Sequence, residues 1–120
     1  MKAGGHGVLI VEDEEAIRDS LCELLTEEGY EATGAANGAE ALRLLRDGLR
    51  PCLILLDLMM PVMDGWELHR QLKADPRLAA VPVVVITAAD PSPADAIAAE
   101  EVLPKPLPID RVLDVVDRYC

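Results

Sequence analysis

Phenylalanine is absent from this sequence, and Trp66, Tyr30 and Tyr119 are its only aromatic residues. Any core it builds must therefore be aliphatic. Bases are scarce as well: 11 against 22 acids, for a net charge of -11. Such a surface repels polyphosphate backbones, which argues against direct nucleic-acid binding, and an anionic membrane surface is an equally poor partner. Negative charge of this size favours cations or basic patches on proteins instead. Long apolar runs are missing too. The longest, from Leu53 to Met63, is broken by Asp57 and Pro61 and is too short to span a bilayer. Met1 to Gly7 is Gly-rich and polar, unlike a signal peptide, and reads as a flexible tail over residues 1–7. Cys22, Cys52 and Cys120 make an odd count without metal-ligand spacing. That pattern points to reduced thiols in a reducing, cytoplasmic compartment, with Cys120 able to cross-link two copies only as an artefact of handling. No GxxxxGKS phosphate loop is present.

What remains is 120 residues, 51% of them hydrophobic, enough for one domain with a substantial core. Two periodicities alternate along it. Val8–Leu9–Ile10–Val11 is a short continuous apolar run, as expected of a strand covered on both faces. Ile17, Leu21, Leu24 and Leu25 follow at helical spacing, and Gly29 supplies a stop. A weaker strand spans Tyr30 to Ala35, and Asn37–Gly38 opens a helix carrying Ala41, Leu42 and Leu45 that Gly48 ends. Leu53 to Leu56 is the most apolar strand. Beyond a loop with Pro61, Asp64 caps a helix with Leu68 and Leu72 facing inward, and Glu67 is placed to complete a capping box. Val83 to Ile86 is a fourth strand. Ser92–Pro93, with Asp95 at the box position, starts a fourth helix that must be short. Val102–Leu103 is a last strand whose Pro104 is tolerated only at a sheet edge. Ile109, Val112, Leu113 and Val116 form the stripe of a final helix.

Five strands alternating with five helices imply an α/β fold with a doubly wound parallel sheet and right-handed crossovers. Ligands in such sheets bind beyond the carboxyl ends of the strands. The residues standing there are Glu12 and Asp13 after the first strand, Asp57 after the third, Thr87 after the fourth and Lys105 after the fifth.

Each of these has an ordinary reading by itself. Asp57 could be a solvated loop residue, Thr87 a strand end, Lys105 a charge that blocks edge pairing, and the acidic pair a helix-dipole partner. Together they make a chemical set. Three carboxylates repel one another unless a hard cation joins them, and Mg²⁺ takes one or two carboxylates plus waters and phosphate oxygens. Asp57 ends the most apolar strand and is the candidate nucleophile. Phosphoryl transfer asks for little beyond positioning and neutralisation of the equatorial oxygens, which Mg²⁺, Thr87 and Lys105 can supply. His6 and His69 read as surface residues. Met59, Met60 and Met63 flank the site loop as packing or partner-contact residues.

Val8-Leu-Ile-Val-Glu-Asp-Glu, Leu55-Leu-Asp57-Leu-Met-Met-Pro61-Val-Met-Asp64-Gly65, Val84-Val-Ile-Thr87-Ala88 and Leu103-Pro-Lys105-Pro106 resemble the receiver domains of two-component response regulators, the chemotaxis regulator among them. The resemblance runs through nearly the whole chain, residues 8–120. It implies a flavodoxin-like strand order 2-1-3-4-5. It implies Asp57 as phosphoacceptor, with Glu12, Asp13, Asp57 and the backbone carbonyl of Met59 holding Mg²⁺. Thr87 and Lys105 would contact the phosphoryl oxygens, and the bond before Pro106 is a candidate cis peptide. The partners implied are a histidine kinase or phosphotransfer protein and a downstream protein or separate output domain. The module is not an enzyme, though it assists phosphorylation and dephosphorylation of its own Asp57.

Two departures bear on output. Val102 stands where the family carries an aromatic switch residue coupled to the threonine, and the segment from Thr87 to Lys105 is about one helical turn short. An altered output face is therefore expected. The alternative is a receiver-like scaffold whose interactions do not depend on phosphorylation. Flavin binding is disfavoured, because Glu12-Asp13-Glu14-Glu15 would repel the flavin phosphate. A haloacid-dehalogenase-type phosphatase wants an aspartate where Met59 stands.

Overall fold

A computed structural model of the chain describes residues 7–58, 62–87, 101–104 and 109–120. In chain order its elements are β1 (Val8–Val11), α1 (Glu15–Glu27), β2 (Ala32–Ala35), α2 (Gly38–Arg46), β3 (Leu53–Asp57), α3 (Gly65–Ala74), β4 (Val83–Thr87), β5 (Glu101–Pro104) and α4 (Ile109–Tyr119). The helices start and stop where local chemistry asks. The side chains of Asn37 and Asp64 accept from the backbone N–H three residues on, Glu40 and Glu67, each at 2.9 Å, which satisfies one orphan donor of α2 and α3. At the end of α1, Gly29 takes a φ of 93° and the N–H of Tyr30 reaches back to the carbonyl of Leu25, a Schellman motif. Gly48 ends α2 in the same way. Glu67 does not complete the capping box expected of it: its carboxylate accepts from Arg70 at 2.6 Å and from Gln71 at 2.8 Å. Those partners lie one turn ahead on the same helix face, so they reach it without bending the chain back.

The strands form one parallel sheet in the order β2-β1-β3-β4-β5, as expected. Alternation along the strands divides the core into two layers. Leu9, Val11, Ile54, Leu56, Val83 and Val85 face α2 and α3. Val8, Ile10, Leu53, Leu55, Val84 and Ile86 face α1 and α4. Both layers are mainly aliphatic, with Tyr30 buried in the second and Trp66 and Tyr119 packed at their margins, and each fully buried leucine contributes about 1.5–3 kcal/mol. Pro104 lies in β5, at the sheet edge where its missing N–H can be tolerated. Four helices stand among the described residues. The short one expected from Ser92 falls in residues 88–100, outside them.

Two further expectations need correction. His69 is not a surface residue; it is only 8% exposed, on the inner side of α3 beside Leu68 and Leu72. The thiols are not all free. Cys52 and Cys120, 68 residues apart in sequence, are joined by a disulfide with a Cα–Cα distance of 5.3 Å, leaving Cys22 as the free cysteine among the described residues. Helix α4 runs back against the direction of the strands, so the residue after its last turn arrives beside the residue before β3. Sequence spacing carries no trace of that meeting.

Candidate functional site

In the sheet register Val11 of β1 pairs with Leu56 of β3, so the next residues, Glu12 and Asp57, emerge side by side at the carboxyl edge. Parallel strands are about 4.8 Å apart, which brings carboxylates from adjacent strands within reach of a shared ion. Ligand oxygens of Glu12, Asp13 and Asp57 lie within 4.8 Å of one another. Glu12 and Asp57 are buried, Asp57 at 3% exposure, while Asp13 is open to solvent. The cluster is thus anchored on one side and wet on the other.

The acidic turn is held from behind. The backbone N–H of Glu14 donates to Glu12 Oε2 at 3.1 Å, and Arg18 Nη1 donates to the backbone carbonyl of Glu12 at 2.9 Å. Arg18 lies on the first turns of α1, and its aliphatic stem runs over Gly34 of β2, where a Cβ would come within 2.9 Å of it. Sequence reasoning missed Arg18; it reaches Glu12 across the turn from β1 to α1, where neither the helix nor the strand repeat applies.

The loop after β3 is fastened at two points. Gly65 N–H donates to the carbonyl of Leu58 at 3.0 Å, and Gly38 N–H donates to that of Met63 at 2.9 Å. Both approaches need glycine: a Cβ on Gly65 would sit 2.7 Å from the carbonyl oxygen of Asp57, and one on Gly38 2.7 Å from that of Met63. Between these points Val62 has a φ of 68° and is 83% exposed. A β-branched residue in the left-handed region costs on the order of 1–3 kcal/mol, held here by the contacts on either side. The composition around Pro61 signalled a loop, but neither the glycine contacts nor this backbone conformation.

Asp57 pairs with Ile86 in register, which sets Thr87, the last residue of β4, one step further along the same edge; Thr87 in turn pairs with Pro104. Val102 is 37% exposed. Met59, Lys105 and Pro106 lie outside the described residues, as does His6. The structure therefore brings together three of the expected site residues, Glu12, Asp13 and Asp57, and places Thr87 on the neighbouring strand. As a donor set, three hard carboxylate oxygens with an open side suit a small divalent cation that keeps its waters.

An open five-stranded parallel sheet with helices on both faces and an acidic cluster at its carboxyl edge places the chain among the doubly wound α/β domains. The family model for the response regulator receiver domain matches residues 8–117, and the chain belongs to that family. Response regulator MprA of Mycobacterium sp. (strain KMS) is 38% identical over 111 residues, 88% of this chain and 46% of that protein. The chain spans about half the length of the curated relatives it matches. Among solved structures, the signal receiver domain of a signal transduction histidine kinase from Syntrophus aciditrophicus is 36% identical, with a TM-score of 0.84 over 97% of this chain and 89% of that one. The receiver domain of sensor histidine kinase PA1611 from Pseudomonas aeruginosa PAO1, with a magnesium ion coordinated in its active site cleft, is 26% identical, with a TM-score of 0.84 over 97% and 98%. Receiver domains are the phosphoacceptor signalling modules of two-component systems, and they typically bind Mg²⁺ in an acidic pocket. Among the described residues no helix is long and apolar enough to cross a membrane.

Proposed function

We propose that Asp57 accepts a phosphoryl group from the phosphohistidine of a histidine kinase or phosphotransfer protein, and that a downstream protein or an output domain reads the product. An oxygen of the Asp57 carboxylate attacks phosphorus, the nitrogen–phosphorus bond breaks, and the histidine ring keeps the electron pair and takes up a proton. The convergence of Glu12, Asp13 and Asp57 within 4.8 Å at the end of a buried strand carries this reading. Rigid placement at that strand end favours Asp57 as nucleophile over the exposed Asp13. Glu12, Asp13, Asp57 and the backbone carbonyl of Met59 would hold Mg²⁺; the magnesium ion in the active site cleft of the PA1611 receiver domain supports a metal at such a site rather than any particular ligand set. When bound, Mg²⁺ neutralises charge on the phosphoryl oxygens. The Thr87 hydroxyl and the Lys105 ammonium would serve the same oxygens, as the family resemblance implies, and Pro106 is the candidate for a cis peptide bond.

Incubation with a small phosphodonor and Mg²⁺, followed by intact-mass measurement, is expected to show one added phosphoryl group. Chelating the Mg²⁺ should prevent it. An unmodified protein under these conditions would sink the assignment.

Val102 favours a second reading, in which the domain is an interaction scaffold. A half-exposed valine at the switch position has no ring to swing between inward and outward states. Chemical shifts with and without beryllofluoride separate the two. Under the phosphorylation-controlled reading, changes are expected to extend from the pocket into β5 and α4; changes confined to the surroundings of residues 12, 13 and 57 favour the scaffold.

A further inference from the structure

The Cys52–Cys120 bond plays no part in the acceptor chemistry. Cys52 lies five residues before Asp57, and at about 3.3 Å per residue the bond sits roughly 17 Å away, at the opposite edge of the sheet. We propose that Cys52 and Cys120 are a reversible dithiol–disulfide couple, with a low-molecular-mass disulfide as co-reactant, that fastens and releases the last turn of α4 while leaving Asp57 untouched.

Geometry permits both states. A Cα–Cα distance of 5.3 Å is within the ordinary disulfide range, so bonding asks for no movement of the backbone. Cys52 Sγ also lies 3.1 Å from the carbonyl oxygen of Gly7, a contact that becomes a hydrogen bond only when the sulfur carries a proton. The reduced thiol thus has an acceptor already in place. Both cysteines are half-buried, open enough for a small thiol or disulfide to reach. The third cysteine does not compete: burial and the neighbouring Asp19 push the Cys22 thiol up on α1, which disfavours its thiolate.

A second fastening explains why release stays local. The Tyr30 hydroxyl donates to the Asp117 carboxylate, three residues before Cys120, and that hydrogen bond, with burial adding to it, pushes Tyr30 up to about 12. The stabilisation from this bond is full below the unfolded value near 10 and is lost only as pH rises toward about 12, so the clip is closed at physiological pH in either redox state. Val112, Val115 and Val116 stay packed under the helix as well. Reduction therefore frees the end of α4 without unfolding the domain. Reversibility rests on the functional reading above: a phosphoacceptor works where ATP-fed kinases do, and disulfides in reducing compartments are usually transient or redox-sensing.

The exchange balances without another reagent. One cysteine thiolate attacks the small disulfide, forming a mixed disulfide and releasing one small thiol. The other cysteine then attacks the protein sulfur of that mixed disulfide, closing Cys52–Cys120 and releasing the second. Two electrons and two protons leave the protein on the two small thiols.

The test equilibrates the protein in glutathione buffers from oxidising to reducing, alkylates, and counts thiols by intact mass. One alkylated thiol, Cys22, is expected at the oxidising end and all three at the reducing end. Amide exchange over residues 118–120, beyond the Tyr30–Asp117 clip, should be about ten-fold faster in the reduced protein, with residues 53–57 unchanged. Cys52→Ser and Cys120→Ser should reproduce the faster exchange under oxidising conditions, and Cys22→Ser should not. Three thiols in every buffer would overturn the couple, and one thiol in every buffer would make the bond permanent and overturn its reversibility. The count is independent of phosphorylation. A protein that passes between one thiol and three yet takes up no phosphoryl group in either state supports the couple and overturns the acceptor assignment instead.

Discussion

Asp57→Asn is expected to abolish phosphoryl uptake from a small phosphodonor and to remove any response of the melting temperature to Mg²⁺. Asparagine has the same shape as aspartate, so β3 and the core around it should be undisturbed, but an amide is no phosphoryl acceptor. Electrostatics supply the second half. Three carboxylates whose oxygens lie within 4.8 Å repel one another, and two of them are buried where water screens poorly. A like-charge pair 4 Å apart costs up to about 4 kcal/mol at an effective dielectric of 20. Solvent at Asp13, relaxation and the further partners of Glu12 and Asp57 reduce that, so removing one charge should stabilise the metal-free protein by about 1 kcal/mol at most, or a few degrees of melting temperature. In the parent protein Mg²⁺ at a hundred times its dissociation constant should add about 2.7 kcal/mol. Thermal melts with and without Mg²⁺ therefore carry a signature of four values. The metal-free variant should melt above the metal-free parent, and only the parent should gain from the ion. If the variant still gains a phosphoryl group of equal stoichiometry, the acceptor is another residue.

Much of this architecture can be read without coordinates, for identifiable reasons. Strands β1, β3 and β4 are buried on both faces, so they appear as unbroken apolar strings that amphipathic helices do not imitate. Helix ends were legible at Asn37, Asp64, Gly29 and Gly48 because capping is local chemistry. The site was legible because a parallel sheet collects the residues after each strand at one edge, which turns Glu12, Asp13 and Asp57 from scattered acids into a cluster. Contacts between distant segments were hidden. His69 looks like any polar helix residue until the packing of α3 turns it inward. Cys52 and Cys120 meet only because α4 returns across the sheet, a fact of topology rather than spacing. Glu67 satisfies the capping-box pattern, yet Arg70 and Gln71 are nearer partners for its carboxylate. The strand order itself came from resemblance, since alternation alone permits several orders.

Gly65→Ala should cost more than any surface change and should damage the site along with the fold. Gly65 opens α3, where alanine would ordinarily be worth up to about 1 kcal/mol in helix propensity. Contact overrides propensity here. The added methyl would lie 2.7 Å from the carbonyl oxygen of Asp57 and 2.8 Å from the Cα of Leu58, and both of these are backbone atoms that no rotamer change can move aside. Overpacking of this kind costs about 1–3 kcal/mol. Relief comes only by shifting α3 off the end of β3, which strains the Gly65 N–H bond to Leu58 and displaces the backbone of the acceptor itself. Phosphoryl uptake should therefore slow well beyond what the lost stability explains. Gly29→Ala supplies the comparison. Its φ of 93° makes alanine unfavourable by roughly 1 kcal/mol, but no atom lies within 4 Å of the added methyl and the residue is remote from Asp57. Both variants should melt below the parent, while only Gly65→Ala loses uptake rate at a temperature where each is fully folded. Equal uptake by the two would mean that the close approach of α3 to Asp57 serves packing alone.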